Sequence, residues 1–135
     1  MKIKPVSLLK LSFIIGVIAD AIVAINWFLI SLGYSYANMI SAFRGSGADY
    51  EFAMFICSLF MFGWTAILFW GYLKPEERKG LLLITSSLLL VSIFLELIMF
   101  YELLISKGFI IGIILRIILI SKFSFSYFYS KYRNA

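Results

Sequence analysis

Two long apolar stretches joined by a short turn decide the fold: Leu81–Leu104, LLLITSSLLLVSIFLELIMFYELL, and Gly108–Phe128, GFIIGIILRIILISKFSFSYF. Each stretch carries a charged residue that lipid does not tolerate alone, Glu96 in the first and Arg116 in the second. Both lie about eight residues from the turn, which is about 12 Å at the rise of an α-helix. A charge at the centre of a bilayer costs about 2.5–3.5 kcal/mol. The equal depths therefore predict an ion pair between Glu96 and Arg116.

The composition indicates an integral membrane protein. The chain has 135 residues, of which 63% are hydrophobic, and its mean hydropathy is +1.02. A soluble domain of this length has too little interior for so many apolar side chains, because surface outweighs volume in small proteins. Stretches of about 20 apolar residues, each long enough to cross a bilayer, account for them instead.

The hydropathy pattern predicts four spans, at about residues 8–32, 51–73, 81–104 and 108–128. We expect an all-α fold, a four-helix up-down bundle that forms a single transmembrane domain over residues 1–135. Pro75, in the turn between the second and third spans, suits the first turn of a new helix. The first span could instead be a signal peptide, but its length and its Asp20 and Asn26 favour a retained helix.

The basic residues mark the topology. Nine lie on one side of the predicted membrane: Lys2, Lys4, Lys10, Lys74, Arg78, Lys79, Lys122, Lys131 and Arg133. Only Arg44 and Lys107 lie on the other. Because cytoplasmic loops are enriched in Lys and Arg, both termini are predicted to be cytoplasmic. The net charge of +5 is placed at the ends of spans and not along a polar face, so no nucleic-acid partner is expected.

The ligand count excludes several kinds of site. The chain has no His and a single Cys, Cys57, so haem held by His, the common zinc sites and a paired-Cys redox centre are excluded. A catalytic Cys would need a base, and no His is present to act as one. We therefore predict no metal, no cofactor and no catalytic residue.

Polar residues within the spans form the candidate site. The predicted cluster, either ligand-binding or structural, consists of Asp20, Asn26, Glu96 and Arg116, with Glu51 and Glu102 as a possible rim. A small or polar residue precedes each of three of these charges by four positions, in the pairs Gly16–Asp20, Ser92–Glu96 and Gly112–Arg116. Small residues allow helices to approach closely in membranes, so we expect these faces to point inward.

Two interpretations of the cluster remain open. In the first, Glu96 and Arg116 form an ion pair that fixes the register of two helices, with Asp20 as a second acceptor for the guanidinium. In the second, Asp20, Asn26, Glu96 and Arg116 line a ligand or proton site. By depth, the cluster lies in the outer half of the membrane, which favours a pocket that opens outward.

The segment from Gly63-Trp64-Thr65 through Trp70 and Lys74-Pro75-Glu76-Glu77-Arg78-Lys79-Gly80 to Thr85 resembles one found in small prokaryotic four-span membrane proteins without an assigned activity. The resemblance covers about a fifth of the chain and implies a prokaryotic plasma membrane. Small multidrug transporters and the EXPERA-type bundles, which include sterol isomerases, are similar in size and span count alone.

These observations favour a non-enzymatic membrane protein that binds a small amphipathic ligand or a partner subunit through an outward-facing polar pocket. The first alternative is a proton- or ion-coupled transporter of small solutes that acts as an oligomer. The second is a membrane-embedded acid–base enzyme such as an isomerase, for which Asp20 and Glu96 are the plausible carboxylate pair. The expected partners are membrane lipid, a small amphipathic ligand, and a second copy or another membrane subunit.

Overall fold

The computed structural model describes residues 4–34, 45–100 and 107–133, and this part of the chain is all-helical. It contains four helices: α1 (Pro5–Ser31), α2 (Ala48–Leu73), α3 (Gly80–Met99) and α4 (Lys107–Arg133). Each is long and apolar enough to cross a membrane. The four predicted spans therefore correspond to four helices, as expected for an integral membrane protein.

The ends of α1 follow from its sequence. Pro5 occupies the first turn, where its missing N–H costs nothing and its fixed φ favours the helix. At the other end Gly33 has a φ of +84°, a conformation that favours glycine. The N–H of Gly33 donates to the carbonyl of Ile30 and that of Tyr34 to the carbonyl of Leu29. This pair of bonds is the Schellman motif, which satisfies carbonyls left free at the helix end.

A charged turn at residues 74–79 joins α2 to α3. The Arg78 guanidinium lies 3.5 Å from the centroid of the Trp70 ring and also donates to the Trp70 carbonyl. Lys74 and Glu77 form an ion pair at 3.2 Å across the turn. Pro75 lies within this turn and not in the first turn of α3, which begins at Gly80. The Arg78 side chain thus caps the end of α2.

The helix bounds differ from the hydropathy limits at several ends. The α4 helix continues to Arg133, beyond the predicted limit near residue 128. The alternating Ser and aromatic residues near its end are therefore part of the helix. The α3 helix ends at Met99, and Phe100 has a non-helical backbone. Residues 101–106, into which this span was predicted to extend, lie outside the described residues. At 20 residues, α3 is about 30 Å long, which matches the hydrocarbon core of a bilayer.

One buried cluster joins all four helices near the start of α1. Its members are fully or almost fully buried: Leu9, Phe13, Leu68, Leu82 and Phe123. The same end of the molecule carries Lys4 and Lys10, the charged turn at residues 74–79 and the end of α4. We call it the basic end.

Helices α1 and α2 run antiparallel and approach closely. At the basic end, a Cβ placed on Gly71 would lie 2.3 Å from Cε1 of Phe13, so only glycine fits there. At the opposite end, Ile30 of α1 packs against Met54 of α2, with Trp27 and Tyr50 beside them. The two helices are therefore in apolar contact near both ends.

The described buried clusters at the end opposite the basic end contain residues of α1 and α2 alone. Helix α4 contacts α1 nearer the basic end, where the Ser12 and Ser126 hydroxyls lie 2.6 Å apart. At most 28% of the most hydrophobic stretch of any helix is buried within the chain. Most apolar side chains therefore point outward, as membrane helices require of the surface that meets lipid.

Candidate functional site

Glu96 of α3 and Arg116 of α4 are brought together by two parallel hydrogen bonds. Nη1 of Arg116 donates to Oε1 of Glu96 at 2.6 Å, and Nη2 donates to Oε2 at 2.7 Å. This bidentate geometry matches the guanidinium fork to both oxygens of a carboxylate and is stronger than a single contact. The two helices are clasped at this point by an ion pair.

Two further groups hold the guanidinium in place. Nη1 of Arg116 also donates to the Ser92 hydroxyl at 3.1 Å, and Nε donates to the Gly112 carbonyl at 3.2 Å. The Ser92 hydroxyl in turn donates to the Leu89 carbonyl of its own helix. Ser92 and Gly112 lie four positions before Glu96 and Arg116. The residues that the sequence pattern placed on inward faces therefore also accept the supporting hydrogen bonds from Arg116. The pair is extensively hydrogen-bonded from within the α3–α4 hairpin.

Asp20 lies on the packed face of α1. Its spacing from Phe13, Gly16 and Ala24, all buried, places it on the same side of the helix. Its Oδ2 atom is buried and has no hydrogen-bond partner among the described residues. The described hydrogen bonds of Arg116 go to Glu96, Ser92 and Gly112, so Asp20 is not seen as a second acceptor for the guanidinium.

The register between α1 and α4 places Asp20 near the level of Arg116. Ser12 pairs with Ser126 at 2.6 Å, and a Cβ on Gly16 would lie 3.0 Å from Cζ of Phe123. These contacts define an antiparallel register, which continues to Asp20 opposite residues 118–119. That position is two to three residues from Arg116, or about 4 Å along the helix axis. Asp20 and the ion pair therefore lie at similar depth without a described contact between them.

Asn26 and Tyr50 supply two more buried polar atoms at the end opposite the basic end. Asn26 is 4% exposed, and neither its Nδ2 atom nor the Tyr50 hydroxyl has a hydrogen-bond partner among the described residues. Asn26 follows Asp20 by six residues, which is about 240° around the helix, so the two side chains do not share a face. Tyr50 packs against the Ile30–Met54 cluster. Its hydroxyl gives the α1–α2 pair a buried polar group that the sequence pattern did not single out.

Of the two predicted rim residues, Glu51 is exposed in the first turn of α2. Its Oε1 lies 3.9 Å from the position that a Cβ on Gly33 would occupy, so it sits beside the end of α1. A carboxylate in the first turn also suits the positive end of the helix dipole. Glu102 lies outside the described residues.

Apart from Ser92, serines inside the spans were not predicted to matter, yet Ser12, Ser58, Ser86, Ser126 and Ser130 are all buried. Most buried hydroxyls of this kind bond a carbonyl of their own helix, as Ser58 does with Phe55. The Ser12–Ser126 bond crosses from α1 to α4. Small polar residues in an apolar span are the signal that could have identified such a contact.

Metal binding has no support in the described part of the chain, where no group of three or more His, Cys, Asp or Glu residues is close enough to hold an ion. Cys57 is a free, half-buried thiol within α2. Comparison of the chain with protein-family models, curated proteins and solved structures found no match.

Proposed function

We propose that this chain is a four-span, up-down protein of a prokaryotic plasma membrane with both termini in the cytoplasm. The distribution of charge supports this topology. The basic end carries Lys4, Lys10, Lys74, Arg78, Lys79, Lys122, Lys131 and Arg133 among the described residues, whereas Asp49 and Glu51 begin α2 at the other end. Lys and Arg are retained on the cytoplasmic side of membranes.

The topology can be tested by labelling single cysteines in intact cells. In a Cys57→Ser background, a cysteine introduced by Ser46→Cys is expected to react with a membrane-impermeant maleimide, and one introduced by Lys4→Cys only after the membrane is permeabilised. The opposite pattern would invert the proposed orientation, and labelling of both positions in intact cells would contradict a single topology.

We further propose that the protein acts by binding and not by catalysis, and that it binds a small amphipathic ligand in the outward half of the α1–α2 pair. One observation carries this proposal. Asn26 and Tyr50 each place a buried polar atom there without a partner among the described residues, and Asp20 places a third such atom on another face of α1. Buried polar atoms are almost always hydrogen-bonded in native proteins, to the chain, to water or to a ligand.

The surroundings of these atoms favour an amphipathic occupant. Trp27, Ile30 and Met54 form an apolar cluster next to Tyr50, and binding sites for small molecules combine apolar side chains with a few polar groups that orient the ligand. The Glu96–Arg116 pair is already bonded within its own hairpin. In this proposal the pair fixes the register of α3 and α4, and the ligand bonds the unpaired atoms of Asn26 and Tyr50.

The probe for this site is a monoacylglycerol whose acyl chain carries bromine, which quenches tryptophan fluorescence on contact. With Trp64→Phe and Trp70→Phe, emission comes from Trp27 alone. Saturable quenching in detergent is expected, and Asn26→Leu should weaken it about tenfold, the effect of losing about 1.4 kcal/mol.

The matched control is Ser58→Ala, which also removes a buried polar group from the α1–α2 pair. Because the Ser58 hydroxyl bonds its own helix, this change should leave the quenching curve unaltered. Quenching that never saturates, or that is equal in Asn26→Leu and the parent, would overturn the binding proposal.

A partner subunit is the second candidate occupant, favoured by the exposed apolar surface of α3, where Leu90, Phe94, Ile98 and Met99 are each at least 60% exposed. Lipid also covers such surfaces, so exposure alone does not identify a partner. The quenching experiment decides between a small ligand and a partner subunit. Absence of saturable quenching together with a defined hetero-oligomer after mild solubilisation would favour the subunit.

A further inference from the structure

The C-terminal part of α4 presents an aromatic stripe on its outer surface. Phe125, Phe128, Tyr129 and Tyr132 follow the i, i+3, i+4, i+7 spacing of a single helix face. The opposite face of the same helix packs on α1 through Phe123 and Ser126. The stripe is therefore directed away from the rest of the chain, and Phe125 and Tyr132 are 61% and 77% exposed.

The rings of this stripe are ordered relative to one another. Phe125 and Tyr129 stack with centroids 5.7 Å apart, and Phe128 and Tyr132 with centroids 6.5 Å apart. With Arg133, these four residues line an open groove on the surface of α4. The groove runs from Phe125 to Arg133, eight positions or about 12 Å along the helix axis, which makes it an elongated surface.

A cation closes the end of the groove. The Arg133 guanidinium lies 5.4 Å from the centroid of the Tyr129 ring and donates to the Tyr129 hydroxyl. A cation near an aromatic ring is held by the ring quadrupole, and the hydroxyl fixes it further. Arg133 is exposed, and because a guanidinium carries five N–H donors, its bonds within the chain leave donors for an anion. The groove thus joins an apolar surface to a positioned guanidinium.

The other cation–aromatic pairs of the basic end are engaged differently. The Arg78 guanidinium covers Trp70 and bonds the Trp70 carbonyl at the end of α2. Lys10 lies 5.7 Å from the centroid of the Tyr72 ring, between α1 and α2. Both pairs join parts of the chain to each other. Arg133 and Tyr129, in contrast, belong to one helix and border a groove that faces outward.

We propose that this groove binds an anionic phospholipid, with the phosphate at Arg133 and an acyl chain along the aromatic stripe. Guanidinium binds phosphate through charge-assisted, often bidentate hydrogen bonds, and aromatic rings prefer the level of the membrane where headgroups meet acyl chains. The surplus of basic residues at this end complements the negative charge of anionic lipids. The site is independent of the ligand site proposed for the α1–α2 pair.

The test is native mass spectrometry of the full chain released from detergent with dioleoyl phosphatidylglycerol or dioleoyl phosphatidylcholine. The wild type is expected to retain phosphatidylglycerol at least fivefold more tightly than phosphatidylcholine. Arg133→Gln should reduce phosphatidylglycerol binding about five- to tenfold, and Phe128→Ala should weaken both lipids alike. Glycerol 3-phosphate, which has the phosphate without the acyl chains, should bind far more weakly than phosphatidylglycerol.

Lys131→Gln is the matched control. It removes the same charge two residues from Arg133, but from a position about 160° around the helix, outside the groove. Less than a twofold change is expected. Equal losses in Lys131→Gln and Arg133→Gln, equal retention of the two lipids by the wild type, or equally tight binding of glycerol 3-phosphate would each overturn the proposal. Thermal unfolding of each variant in detergent verifies that the fold is retained.

Discussion

The α1–α2 and α3–α4 pairs both consist of apolar helices in contact, yet they are held together by different means. In the first pair, Gly71 meets the Phe13 ring at a distance that leaves no room for a Cβ. In the second pair, a bidentate ion pair joins Glu96 to Arg116. A Cβ on Gly112 of α4 would meet only the Arg116 side chain, at 3.9 Å. A glycine thus allows close helix packing at Gly71 of α2. In α4, Gly112 lies beside the ion pair, and its Cβ position is not crowded by another helix.

This difference shows two solutions to the same physical problem. Apolar helices gain little from the hydrophobic effect when they associate in lipid, so association depends on close packing and on hydrogen bonds. Close packing is sensitive to small changes in volume. An ion pair tolerates changes in neighbouring volume but not the loss of one charge, because the other charge is then left without a counter-ion.

The largest effect is expected from Arg116→Met. It leaves the Glu96 carboxylate without its counter-ion and should lower the free energy of unfolding by about 3 kcal/mol. Thermal unfolding in detergent measures the loss. Glu96→Gln combined with Arg116→Met should recover most of it, since neither charge then remains. A single variant as stable as the parent would contradict the role of the ion pair as the clasp.

Gly71→Ala tests the close packing of the first pair. The new Cβ would lie 2.3 Å from Cε1 of Phe13, which is fully buried, so the helices must move apart at a cost of about 1–3 kcal/mol. Gly63→Ala is the matched control on the same helix, because nothing lies within 4 Å of its Cβ position. The control should be neutral or slightly stabilising in the same unfolding measurement. Equal effects would show that packing at Phe13 does not limit stability.

A smaller difference is expected between Gly16 and Gly112, the glycines four positions before Asp20 and Arg116. A Cβ on Gly16 would lie 3.0 Å from both Leu68 and Phe123, so Gly16→Ala should destabilise the fold by about 1 kcal/mol. Gly112→Ala has space and should be neutral, since alanine is the better helix former. Measured in parallel by thermal unfolding, a larger loss for Gly112→Ala would indicate that α4 is approached more closely than the described contacts show.

The smallest effect concerns the hydroxyl contact between α1 and α4. Ser12→Ala removes the 2.6 Å bond to Ser126 and should cost about 0.6 kcal/mol, the average for such bonds in a membrane protein. The control is Ser130→Ala, one turn beyond Ser126, whose buried hydroxyl has no partner among the described residues. Its removal should be neutral or stabilising, because no bond is lost. The reverse order of stabilities would contradict the assignment.

Much of the helical architecture could be predicted, because apolar runs of the required length have few alternatives. The number of helices and their approximate positions followed from hydropathy, and counting residues from the turn placed Glu96 and Arg116 at one depth. Helix ends were less predictable, since the aromatic and serine residues near the end of α4 suit an interface as well as a helix. Hydropathy cannot distinguish the two.

The faces in contact could be predicted only in part. The spacing of small residues identified Gly16, where an added Cβ would meet side chains of two other helices. It marked Gly112 equally, where no described atom of another helix lies within 4 Å of an added Cβ. Nothing in the sequence predicts that Phe13 packs on Gly71 or that Ser12 bonds Ser126, because such contacts depend on how the four helices are arranged. The same limit applies to Asp20: its depth could be estimated, whereas its partner could not.

The separation of Glu96 and Arg116 along the chain has a consequence for biosynthesis. The two residues are 20 positions apart on different helices, so α3 leaves the ribosome with a carboxylate whose counter-ion has not yet been made. At about 5–20 residues per second, Arg116 follows within seconds. Entry of α3 into lipid alone would cost about 2.5–3.5 kcal/mol for the lone charge. Helices α3 and α4 are therefore favoured to leave the translocation channel together, as a preformed hairpin.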